Sequence, residues 1–144
     1  MATLHDLLAI KGSEVVSVRS TDMVSSAAKL MNERNIGGLI VYEGTRVAGI
    51  FTERDVVRRV IAKGLDPATT PVADVMTSPV VTVTPDLSIE DCAALMTIRR
   101  LRHLPVGEGD KLEGMLSIGD LLAQKVREQE TVIGHMNKYI HDLR

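Results

Sequence analysis

A chain of 144 residues with 44% hydrophobic and 25% charged content matches ordinary globular usage, with room for one compact domain or two half-domains sharing a core. Its net charge of −2 gives no surplus of Lys and Arg for nucleic acid or anionic membrane, and 2% aromatic content without Trp leaves no series of platforms for stacking bases. The single Cys92 excludes an intrachain disulfide or a CxxC site, and the absence of a signal-like or membrane-spanning apolar run makes a cytoplasmic location the expectation.

Along the chain, Leu4–Ile10 reads as a short helical segment. Val15, Val16 and Val18 form a β-branched run, the mark of a short buried strand. Val24, Ala27, Ala28 and Met31 fall at the spacing of one helical face, and Gly37 and Gly38 are expected to end that helix. Leu39–Tyr42 is a second strand, Glu43 and Gly44 supply a tight turn, and Val47–Phe51 returns as a third. A helix then starts after Thr52, carries Val56, Val57, Val60 and Ile61, and stops at Gly64. The connection that follows contains Pro and Thr, with room for one short helix around Val72–Met76.

The pattern then recurs. Shifted by 65 residues, the sequence matches itself without a gap from Val15 to Val60. Leu39, Val41, Gly44, Gly49 and Asp55 meet Leu104, Val106, Gly109, Gly114 and Asp120. The second copy gives strands at Val80–Val83, Leu104–Val106 and Leu112–Leu116, a helix over Ile89–Arg100 and another from Ser117. Each copy therefore reads β-α-β-β-α. About 46 residues is too few to bury a core alone, so the copies are expected to pack sheet to sheet about a pseudo-two-fold axis. Two equivalent clefts would form where they meet.

Two motifs bear on chemistry. Thr52-Glu53-Arg54-Asp55 and Ser117-Ile118-Gly119-Asp120 both stand where a strand ends and a helix begins. One reading is a capping box, the hydroxyl taking a backbone N–H while the carboxylate reaches back. The other is a nucleotide seat: a helix N-terminus suits phosphate, and a carboxylate accepts from ribose hydroxyls. The second motif is the basic run Arg99, Arg100, Arg102 and His103 ahead of Leu104, Pro105 and Val106. Arg99 and Arg100 suit a helix C-terminus, whereas Arg102 and His103 occupy the bend facing the expected cleft. Copy one has only Gly37 and Gly38 at those positions. The expectation is two clefts of unequal ligand preference, with phosphate binding stronger in copy two.

With its paired T-x-x-D and S-x-x-D motifs and the R-H-L-P-V run, the tandem unit resembles a cystathionine-β-synthase (CBS) domain pair, or Bateman module, of the small stand-alone bacterial kind. The resemblance runs from Leu4 to Val126 and implies an α/β fold of two tandem CBS repeats with pseudo-two-fold symmetry, followed by a helical tail. The expected organisation is repeat 1 at 4–64, a linker with a short helix at 65–79, repeat 2 at 80–126 and the tail at 127–144. It also implies an adenosine-containing ligand: AMP foremost, with NAD(H), ATP, ADP or S-adenosylmethionine as alternatives. By that likeness Asp55 and Asp120 hold ribose while Thr52 and Ser117 approach phosphate. Adenine would lie against Ser17, Val18 and Ile36–Leu39 (through Gly37 and Gly38) in copy one. In copy two it would meet Thr82, Val83 and Leu101–Pro105 (through Arg102, His103 and Leu104). The implied role is regulatory: ligand bridges the repeats and shifts a conformational equilibrium that a partner protein reads.

In the tail, Leu122, Val126, Gln129, Ile133, Met136, Ile140 and Leu143 alternate steps of four and three, a heptad-like stripe. It fits either a terminal helix folded onto its own module or a homodimer contact, and the family likeness adds weight to the dimer. Catalysis is not expected. Cys92 sits among apolar helix positions, and His135 and His141 have no carboxylate at metal-ligand spacing. The competing reading is a dimerisation scaffold without a small-molecule ligand.

Overall fold

The computed structural model of the chain describes residues 2–129; the tail stripe from Ile133 to Leu143 lies outside them. Copy one contains β1 (Ser17–Arg19), α2 (Val24–Arg34), β2 (Gly38–Glu43), β3 (Arg46–Thr52) and α3 (Glu53–Asp55), preceded by α1 (Leu4–Lys11). Past α3 the chain widens into i→i+5 turns over Val56–Ile61, with Ala62 N–H donating to Val57 O. A short 3-10 turn at Val72–Asp74 lies in the connection. Copy two contains α4 (Ile89–Arg99), β4 (His103–Glu108), β5 (Lys111–Ser117) and α5 (Ile118–Glu128).

β1 pairs parallel with β2, and β2 antiparallel with β3. In copy two β4 and β5 form the matching hairpin. Gly44 and Gly109 make the two turns at φ +63° and +59°, and the register shifts at Val41/Tyr42 and again at Val106/Gly107. The duplication thus preserves even an irregularity of the hairpin.

Several expected details differ; the strand expected at Val15–Val18 spans Ser17–Arg19 instead. α2 ends at Asn35 and α4 at Arg100, each in the left-handed region at φ 53°, so Asn35 rather than Gly37 stops the helix. The strand expected at Val80–Val83 shrinks to one bridge between Val83 and Val106. The cause is Pro105. In copy one Ile40 N–H donates to Val16 O at 3.1 Å; the residue equivalent to Ile40 is Pro105, which has no N–H to give.

The hydrophobic cores cross over. Val18, Val24, Ala27, Leu39 and Phe51 of copy one are buried together with Val72 and Val75 of the connection. Ile89, Cys92, Met96, Leu104 and Leu116 of copy two are buried with Leu4, Leu7 and Leu8 of α1. The segment leading into each repeat therefore completes the core of the other. Backbone bonds follow the same exchange: Leu4 N–H donates to Leu87 O and His5 N–H to Pro85 O, as Val72 N–H does to Asp22 O and Ala73 N–H to Ser20 O. Gly49 and Gly114 make room for these crossing segments. A Cβ at Gly49 would lie 2.5 Å from Met76 Sδ, and one at Gly114 2.6 Å from Leu8 Cδ2. Among the described residues no helix is long and apolar enough to cross a membrane.

Candidate ligand clefts between the repeats

The repeats abut where β2 and β4 begin. A Cβ on Gly38 would meet the His103 ring at 3.0 Å, and one on Gly37 would meet it at 3.2 Å. Gly38 and His103 are equivalent positions of the two copies, and equivalent residues that touch lie on the pseudo-two-fold axis. Only one of them can be large. This gives a packing reason for glycines in copy one opposite His103 in copy two. Burial pushes the His103 imidazole below its ordinary value despite the nearby Glu53 carboxylate, so at neutral pH the ring on the axis is uncharged.

A cleft opens on each side of the axis. One, of about 270 Å³, is lined by Lys11, Glu14, Ile36, Gly37, Ser117 and Asp120, among others. The other, of about 670 Å³, contains Thr52, Asp55, Thr77, Leu101 and Arg102. His103 lines both. Each cleft draws on both copies, so Asp120 shares its space with the Ile36–Gly38 bend of copy one. Arg102 and Leu101 face the Asp55 cleft instead. The structure does not bring Arg102 together with Asp120, although adjacency within copy two predicts that it would.

Both motifs form capping boxes. Thr52 N–H donates to Asp55 Oδ2 at 3.0 Å and Asp55 N–H to Thr52 Oγ1 at 3.3 Å. Ser117 N–H donates to Asp120 Oδ2 at 2.7 Å and Asp120 N–H to Ser117 Oγ at 3.2 Å. The helix starts are fixed further by Glu53 N–H on Gly37 O and Ile118 N–H on Arg102 O. Capping and cleft placement thus coexist in the same residues.

The carboxylates differ in what else they hold. Asp55 is 8% exposed; its Oδ1 accepts from Thr77 Oγ1 at 3.1 Å and lies 3.5 Å from Arg59 Nε. Asp120 is 24% exposed, and its Oδ2 also takes Lys11 Nζ at 2.8 Å, while the same ammonium donates to Met115 O. Asp120 Oδ1 has no partner among the described residues. Burial alone would raise the Asp120 carboxyl, but Lys11 and the Ser117 amide and hydroxyl outweigh it and hold it below the usual carboxylate range. Asp120 is therefore ionised with one oxygen open, a ready acceptor for hydroxyl donors.

Other expected residues lie elsewhere. Val18, Leu39 and Leu104 are core, and Pro105 is buried within β4. Ser17, Thr82, Val83, Leu104, Pro105, Ile118 and Gly119 line neither cleft, while Glu53 and Arg54 line the Asp55 cleft. Sequence reasoning missed Lys11, which approaches Asp120 only because α1 packs on the opposite repeat. It also missed Val16, Arg58 and Arg59, which stand at apolar-strand or helix-surface positions without a motif.

The CBS-domain family profile matches the chain twice, over residues 3–62 and 72–127. A CBS domain-containing protein of Arabidopsis thaliana, CBSX3, is 35% identical over 147 residues, spanning 96% of this chain and 71% of its own length. A solved CBS-domain protein of Burkholderia ambifaria, described as a candidate for signal transduction, is 41% identical with a TM-score of 0.84, covering 89% of this chain and 96% of that one. A hexameric CBS-CP12 protein from bloom-forming cyanobacteria is 36% identical with a TM-score of 0.76, covering 85% and 70%.

Proposed function

This chain belongs to the CBS-domain family as a tandem pair, and from that premise we propose that it is a regulatory module binding adenosine-containing nucleotides in the clefts between its repeats. The observation that carries this reading is Asp120: an ionised carboxylate at a helix N-terminus, in a cleft shared by both repeats, with Oδ1 open. Ribose 2′- and 3′-hydroxyls are donors suited to it, and the aliphatic and backbone surface of Val16 and Ile36–Gly38 suits a flat base. AMP, ADP, ATP, NAD(H) and S-adenosylmethionine all carry that sugar and base. A ligand touching both repeats has different contacts when they shift, which is the requirement for signalling by population shift.

The helical segments that follow the two motifs expose an apolar stripe that supplies a surface for self-association, with Val57 also lining the Asp55 cleft. Val57 and Ile61 of copy one are each 61% exposed, and their equivalents Leu122 and Val126 are 56% and 44% exposed. Four apolar side chains at symmetry-related positions suit a second copy of the chain, and a related CBS-CP12 protein is hexameric. This stripe also favours a second reading, a dimerisation scaffold whose capped motifs bind nothing.

Thermal melting separates the two. A nucleotide at 100 times its Kd stabilises by about 2.7 kcal/mol, which raises Tm by about 5–10 °C for a domain of this size. The sensor reading expects that rise with at least one of AMP, ATP, NAD(H) or S-adenosylmethionine; no rise with any of them leaves the scaffold.

A further inference from the structure

The two clefts have opposite charge. Five arginines line the Asp55 cleft, Arg54, Arg58, Arg59, Arg100 and Arg102, against the carboxylates of Glu53 and Asp55. Three positive charges are in excess there. The Asp120 cleft has Lys11 against Glu14 and Asp120, with His103 held neutral, and so carries one excess negative charge.

The internal repeat shows that this is no general feature of the scaffold. The positions equivalent to the five arginines are, in order, Gly119, Ala123, Gln124, Asn35 and Gly37. None is charged. Arg54, Arg58 and Arg59 come from copy one and Arg100 and Arg102 from copy two, so residues from both halves converge on one cavity. Chance surface charge would scatter over both clefts.

Four of the five have no local employment. Arg59 is tied to Asp55 and donates to Met76 O at 3.0 Å. Arg54, Arg58, Arg100 and Arg102 make no ion pair or side-chain hydrogen bond among the described residues. Arg100 also occupies the left-handed conformation at φ 53°, where copy one has Asn35. Asn tolerates that region and Arg adopts it at a cost. Like charges gathered in excess of their counter-charges repel one another, and an anion in the cleft removes the repulsion. Guanidinium forks fit phosphate oxygens in pairs.

We infer that the Asp55 cleft is a polyphosphate site, taking the di- or triphosphate tail of a nucleotide, while the Asp120 cleft takes an adenosine ligand of low charge. The inference deepens the nucleotide reading and rests on it for the adenosine portion only. The Asp55 carboxylate is already occupied by Thr52, Thr77 and Arg59, so affinity in this cleft comes from the phosphate chain more than from the sugar. With about 670 Å³ available, the cavity lies within the usual range for nucleotide-sized ligands.

The test is calorimetric titration of inorganic tripolyphosphate, ATP and adenosine into the intact chain and into an Arg58→Gln/Arg102→Gln double variant. Both positions are exposed, and circular dichroism checks that the fold is kept. Tripolyphosphate and ATP should compete for one site on the unaltered chain and weaken with salt. Each lost guanidinium should cost about tenfold in affinity, while adenosine binding stays unchanged. The inference is overturned if tripolyphosphate does not bind the unaltered chain, or binds the double variant equally well. Tripolyphosphate binding with no response to adenosine supports the polyphosphate site and removes the adenosine reading, so the two failures are distinguishable.

Discussion

Lys11 Nζ stands 2.8 Å from Asp120 Oδ2, joining the last residue of α1 to the first turn of α5. The pair exists because α1 is buried in the core of copy two, so that the segment leaving it runs past the Asp120 cleft toward copy one. Lys11 is the nearest competitor for the carboxylate that the nucleotide reading assigns to ribose.

Lys11→Met tests that competition. The two side chains are 36% and 24% exposed, so solvent screening limits the stability loss at neutral pH to about 1 kcal/mol or less. Because the folded Asp120 carboxyl titrates below its ordinary 3.8, this contribution is present above that pH and disappears as pH falls through the folded value. Adenosine binding should strengthen in Lys11→Met, since one donor leaves Oδ2. Weaker binding would make Lys11 a ligand contact instead of a competitor.

The crossed cores predict a specific coupling. Gly114→Ala places a Cβ against Leu8 Cδ2 and should destabilise by about 1–3 kcal/mol through overpacking. Leu8→Ala should cost about 2–5 kcal/mol by opening a cavity. Together they should cost less than their sum by about 1 kcal/mol or more in urea unfolding. Additive losses would mean that α1 does not lie on β5.

His103 sets a pH dependence. Its folded value is pushed below 6.5, so between the two values the unfolded chain binds a proton that the folded one refuses. Stability should therefore be full above about pH 6.5 and decline as pH falls toward the folded value. An NMR titration of the imidazole should give a midpoint below that of an exposed His, and His103→Gln should lack the slope. A midpoint at or above 6.5 would place the ring in water and not on the axis against Gly38.

Self-association should depend on the apolar stripe. Ile61→Asp and Leu122→Asp alter side chains that are 61% and 56% exposed, so the monomer fold should survive either change. Light scattering should register a lower mass for both variants than for the unaltered chain. An unchanged mass would move the contact to another surface.

Much of the fold was legible because duplication wrote it twice. The apolar positions of both helices, the turn glycines Gly44 and Gly109 and the capped Asp55 and Asp120 recur at one spacing. Leu4–Ile10 and Val72–Met76 are legible as similar short segments ahead of each copy, but the exchange of cores they make is not. Leu4, Leu7 and Leu8 correspond in packing to Val72, Val75 and Met76, but three residues off the repeat register, and they share only apolar character. The expected strand at Val80–Val83 failed through the one N–H that Pro105 lacks. Sequence alone groups Arg102 with Asp120 because the two lie in the same copy, whereas the axis through Gly38 and His103 turns it toward Asp55. That relation requires the two halves to be assembled, and periodicity within either half does not contain it.

The central claim, that Asp120 holds the sugar of an adenosine ligand between the repeats, is tested most directly by titrating adenosine into the unaltered chain, Asp120→Asn and Asp55→Asn by calorimetry. The account predicts binding to the unaltered chain, loss of at least about tenfold affinity in Asp120→Asn and little change in Asp55→Asn, whose carboxylate is already occupied by Thr77 and Arg59. Equal adenosine affinity in the unaltered chain and a folded Asp120→Asn variant would contradict it.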